Sequence, residues 1–245
     1  MKKSFWLLLG LFAVASAGLR VWQDVTGFEE TGLAVRGSLP GLLLCALLVI
    51  AAVCFVLVTR ALPAQRDTAG GLADCFRFRN MTSVTCAVAG VFLVFAGAAA
   101  SALGYGKLNN ALLAAFAIAA AAAMLYVIFT LYRGGEPQSV ALLVSVCCLA
   151  VYLIALYRVD AAEPVLMRTY VELLAVVGLA FTALERAAFA YRNGAPRLYV
   201  PASAMTVILS LTAAADRQSL VSLLLFLGCM LVELGFLAAA DFEQK

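Results

Sequence analysis

Histidine is absent from all 245 residues of the chain. That absence excludes Ser-His-Asp and Cys-His catalysis, zinc sites of the HExxH kind and histidine-ligated haem. Charge is scarce as well: 13% of residues are Asp, Glu, Lys or Arg, against 65% hydrophobic and a mean hydropathy of +1.02. Soluble domains carry about a quarter charged residues, so the solvent for this chain is a bilayer. The net charge is only +3, with no compact basic patch, which sets nucleic acid aside as a partner. Seven cysteines are present, but none forms a CxxC pair, so neither a disulfide framework nor a metal site is indicated. No phosphate-binding loop occurs, so any transport would draw on a gradient or on another subunit. Six prolines and scattered glycines leave no long linker, and residues 1–245 read as one integral membrane domain.

What remains is a series of long apolar runs. They extend over residues 5–21, 41–59, 81–103, 111–131, 140–156, 165–190, 199–215 and 220–240. Most match the roughly 20 residues that a helix needs to cross hydrocarbon. The fold class is therefore all-α, a bundle of about eight transmembrane helices. The first run has a competing reading: Lys2-Lys3, a short apolar core and Ala15-Ser16-Ala17 fit a cleavable signal peptide, which would leave seven spans. An uncleaved helix, anchored by Arg20 and Trp22 at the interface, is the expectation adopted. With eight spans both termini share one side. Placing them in the cytoplasm of a cell-membrane protein puts eleven Lys/Arg inside and six outside, as the positive-inside rule requires.

Individual runs carry further expectations. Ser83, Gly90, Gly97 and Gly104 recur every seven residues on the third run and predict a close helix–helix approach. The alanine-dominated fourth run is expected at the bundle centre. Glu185-Arg186 is read as a helix end whose charges reach water, and Asp216-Arg217 as a simple turn.

Two polar features bear on function. The stretch 158–172, RVDAAEPVLMRTYVE, opens the sixth run, with Pro164 suited to a first helical turn. Arg168 and Glu172, four residues apart, share a helical face, and Glu172 lies roughly 10 Å along the axis from Val165 at 1.5 Å per residue. Arg158, Arg168, Tyr170 and Glu172, together with Arg20, Asp160 and Glu163, read either as the mouth of a substrate site or as an interfacial salt-bridge network. Glu233, deep in the last run, is either a proton or cation relay or a structural hydrogen-bond partner. Its helical face continues through Ser222, Phe226 and Cys229. Its partners are expected to be Arg186 or the polar lining formed by Ser203, Thr206 and Ser210 on the seventh run. Glu172 and Glu233 belong to opposite ends of their helices, which argues against paired-carboxylate catalysis and for a path with two polar stations.

No catalytic residue, cofactor or metal ligand is assigned. The leading expectation is a small-solute transporter or a membrane solute-binding subunit of a transport system, surrounded by membrane lipid. The alternative is a non-catalytic accessory or sensor protein that acts through a protein partner. A membrane enzyme ranks third, because no nucleophile motif stands beside the missing histidine.

Overall fold

A computed structural model describes residues 3–28, 38–62, 71–105, 111–160, 166–216 and 219–242, with residues 111, 159–160 and 166–169 described in backbone only. The helices are α1 (Lys3–Thr26), α2 (Leu39–Val58), the short α3 (Gly71–Cys75), α4 (Met81–Ala102), α5 (Ala111–Tyr132), α6 (Ser139–Asp160), α7 (Leu166–Ala190), α8 (Pro196–Ala214) and α9 (Leu220–Ala239). Eight of these are long and apolar enough to cross a membrane. The chain is an all-α, multi-pass membrane protein. Pro40 and Pro196 occupy first-turn positions of α2 and α8, where no backbone N–H is needed, whereas Pro201 lies inside α8 and leaves one helical carbonyl without its amide donor. Pro164, assigned a first-turn role for α7, lies outside the described residues, as does Glu163.

Neighbour relations define the architecture. Helices α4, α5, α6, α7, α8 and α9 pack in sequence, and α9 closes back onto α4, while α1 and α2 pack together outside this ring against α8. The α4–α9 seam is the closest. A Cβ on Gly90 would stand 2.5 Å from the Gly228 carbonyl oxygen, and one on Gly228 would stand 2.7 Å from that of Gly90. One turn pair further, a Cβ on Gly235 would meet the Ser83 carbonyl at 2.8 Å, and Gly97 faces the Leu225 side chain. Ser83, Gly90 and Gly97 thus form the predicted approach surface, answered by Gly228 and Gly235 at the same seven-residue spacing. Gly104 lies beyond the end of α4 and takes no part in the helical seam.

The alanine-rich helix is not central. A third of the membrane-length window of α5 is buried, against 67% for α8, which is enclosed by α1, α2, α7 and α9. The physical reason is that α8 carries the polar side chains that lipid would not solvate, whereas Leu112, Ile118, Tyr126 and Phe129 of α5 cover its lipid side.

At the end of the bundle where α1 begins and α9 ends, the segment after α3 pairs with the segment after α9. The Arg77 amide donates to the Ala239 carbonyl and the Asp241 amide to that of Cys75, each at 2.8 Å. Phe76 is the hub of an aromatic floor, with Phe189, Tyr199, Phe236 and Phe242 edge-on around it at 5.2–5.9 Å. Such edge-to-face contacts suit the ring quadrupoles and add to the burial of large apolar groups.

Candidate functional site

Helices α4, α5, α6, α7 and α9 surround a cavity of about 100 Å³. Its walls are apolar: Val91, Ala121, Met124, Leu149 and Phe226 supply most of the surface. At the end next to the aromatic floor the lining changes to Arg186 and Glu233. These two are buried and joined at 2.6 Å from Arg186 Nη1 to Glu233 Oε1. The same oxygen accepts from Thr182 Oγ1 at 3.0 Å, and Glu233 Oε2 accepts from Ser203 Oγ at 3.1 Å. The guanidinium carbon lies 4.7 Å from the centre of the Phe236 ring. The pair therefore ties α7, α8 and α9 together at one depth. Arg186 Nε, shielded from solvent, makes no hydrogen bond of normal geometry among the described residues.

A second, smaller cavity of about 30 Å³ adjoins the first and shares Ala117, Tyr152 and Leu225 with it. Here Glu172, Ser101, Ser219 and Ser222 contribute polar surface. Glu172 and Arg186 are fourteen residues apart on α7, so they share one face at a separation of about 21 Å along the axis. Val176 and Leu179, also on that face, line the apolar stretch between them. Ser222, Phe226, Cys229 and Glu233 run along the matching face of α9, as their spacing implied.

The outer cluster divides. Tyr170 and Glu172 are two residues apart, about 200° around a helix, and so face different neighbours. The Tyr170 ring stacks under Arg20, 5.7 Å from its guanidinium carbon, whereas Glu172 lines the smaller cavity. Arg158 is exposed and lines neither cavity. The side chains of Asp160 and Arg168 lie outside the described residues. On α8, Ser203 reaches Glu233, Thr206 donates to the Ala202 carbonyl at 2.8 Å, and Ser210 is fully buried. None of the three lines either of these two cavities.

Three other assignments are corrected. Arg186 does not reach water: it is 2% exposed, with its guanidinium turned into the bundle to pair with Glu233. Arg20 is not an interfacial anchor, and Asp216 is more than a turn residue. Arg20 is completely buried and pairs with Asp216 at 2.7 Å, while its Nη1 donates to Gln23 at 3.0 Å. One turn away the same two helices are linked by Thr212 Oγ1 donating to Ser16 Oγ at 2.9 Å. These rungs fasten α1 to α8. Asp216→Ala is expected to cost about 2 kcal/mol, less than the usual loss for a severed buried pair because Gln23 and Asp24 still flank Arg20. Thermal unfolding in detergent measures this, and an unchanged midpoint would show the pair to be dispensable.

Among the described residues, no group of three or more Cys, Asp or Glu is placed to hold a metal ion, and all seven cysteines are free thiols. Comparison with protein-family models, curated proteins and solved structures returned no match.

Proposed function

We propose that the protein is a membrane solute-binding component of a transport process, and that its solute occupies the space ringed by α4, α5, α6, α7 and α9. The observation that carries this reading is the pair of adjoining cavities between Glu172 and the Arg186–Glu233 pair, with Ala117, Tyr152 and Leu225 common to both. Two polar stations on one face of α7, separated by an apolar chamber, are the arrangement of a route through a bundle. Intramembrane ionisable groups in other membrane proteins mark such routes. With both termini in the cytoplasm, Glu172 belongs to the outward end. Glu233 acts here as the fixed counter-charge of Arg186, since both its oxygens are engaged; a relay role has less support.

The test places a bulky residue at the junction. Native mass spectrometry of protein extracted with its own membrane lipid is expected to show a small-molecule adduct that is absent from Ala117→Phe. The variant must keep its fold, read from its unfolding midpoint. Equal adducts in both proteins would remove the chamber from the reading.

A non-catalytic accessory or sensor role is the second reading. It is favoured by the use of Arg20, Asp216, Arg186 and Glu233 as helix-to-helix ties. Its mark would be a stoichiometric protein partner in the same spectra and no small-molecule adduct.

A further inference from the structure

We propose that the chamber binds a neutral, bilayer-soluble molecule bearing a carbonyl acceptor, with the carbonyl oxygen on Arg186 Nε and the rest of the molecule against the apolar wall. This rests on the reading of the chamber as the solute site and adds the chemistry of what fills it.

Size and polarity come first. A cavity of about 100 Å³ walled by Val91, Ala121, Met124 and Phe226 excludes a hydrated ion, which would leave its water for no replacement ligands. Dry apolar cavities of ~150 Å³ take up benzene. A ring or a short branched chain is therefore the right scale.

Charge decides the next step. The lining holds one guanidinium and one carboxylate, 2.6 Å apart, so the site is neutral as a whole. An anion would meet Glu233 in a medium that screens little, with no second cation in the lining to hold it. A cation would find both Glu233 oxygens already accepting from Arg186, Thr182 and Ser203. A neutral molecule avoids both penalties.

Hydrogen bonding then separates a carbonyl compound from a plain hydrocarbon. Arg186 lines the chamber, is 2% exposed, and its Nε–H makes no hydrogen bond of normal geometry among the described residues, although the buried Tyr199 hydroxyl also interacts with the guanidinium. Serine at position 145 offers no competing donor, since its hydroxyl donates to the Ala141 carbonyl of its own helix at 3.3 Å. A ligand oxygen would satisfy a donor whose isolation is otherwise unfavourable, and a bond from a charged donor is worth about tenfold or more in affinity.

The experiment uses the full chain in lipid nanodiscs and three size-matched fluorinated probes: 4-fluoroacetophenone, 1-ethyl-4-fluorobenzene and 4-fluorobenzoate. Binding is followed by fluorine NMR, with Ala121→Phe as the blank for partition into lipid. The ketone is expected to bind at least about tenfold more tightly than the ethyl compound and the benzoate. In Arg186→Met/Glu233→Met, which removes the guanidinium donor, leaves no lone charge and adds no amide donor, ketone and ethyl compound should bind about equally. The comparison within the native protein stands even where that variant does not fold. Equal binding of ketone and ethyl compound by the native protein overturns the carbonyl assignment but leaves the chamber as a solute site. Tightest binding of the benzoate makes it an anion site and overturns neutrality. Binding that Ala121→Phe leaves untouched, or no binding of any probe, overturns the chamber itself.

Discussion

Glu233→Ala is expected to destabilise the protein by about 3–5 kcal/mol, the usual loss when one member of a buried ion pair is removed. The carboxylate is fully buried and is the acceptor for Arg186, Thr182 and Ser203, so three helices lose a common partner. Most of the loss comes from the guanidinium left without a counter-charge, not from the net worth of the pair. Arg186→Met/Glu233→Gln should therefore recover much of it, because the glutamine amide keeps an oxygen for Thr182 or Ser203 and the methionine fills the space of the arginine stem without charge. Unfolding midpoints of Arg186→Met, Glu233→Gln and the double variant in one detergent measure the coupling. Additive losses would mean that the two side chains do not depend on each other.

Gly228→Leu is expected to be more damaging still, separating α4 from α9 or preventing folding. Its first added carbon would already lie 2.7 Å from a backbone oxygen of Gly90 and 2.8 Å from the Val94 nitrogen, so no rotamer relieves the clash. Overpacking commonly costs about 1–3 kcal/mol when side chains can move, and here backbone must move. Gly18→Leu is the matched control, since nothing lies within 4 Å of a Cβ at that position. Leucine also has the better helix propensity, so the control should be neutral or stabilising. Expression level and monodispersity in detergent read both. Equal behaviour of the two variants would contradict the close α4–α9 approach.

The number and limits of the membrane helices were legible because hydrocarbon demands long apolar runs with few charges. The Ser83, Gly90, Gly97 stripe was legible because close packing needs small residues at one helical spacing. So was the face of Glu233, and Arg186 was among its expected partners. The order of helices around the ring was not. Lipid is as apolar as a bundle interior, so hydrophobic periodicity does not tell the lipid side of a helix from the packed side. This is why alanine-rich α5 was expected at the centre, while α8, marked by Ser203, Thr206 and Ser210, holds it. Asp216 was missed because its partner, Arg20, is 196 residues away and lies in an apparently interfacial position. The separation of Tyr170 from Glu172 could have been read at 100° per residue, as could the shared face of Glu172 and Arg186. What brings the separate cavities of Glu172 and Arg186 side by side is the closure of α9 onto α4, a tertiary contact that no local pattern encodes.

The most direct measurement is a cryo-EM map at side-chain resolution of the protein in nanodiscs formed from its own membrane, with a bound antibody fragment as a fiducial. The expected result is non-protein density among Ala121, Met124 and Phe226, in contact with the Arg186 side chain where it pairs with Glu233. Side chains closed over that space, with Arg186 turned away from it and no density between Glu172 and Glu233, would contradict the chamber as the site of function.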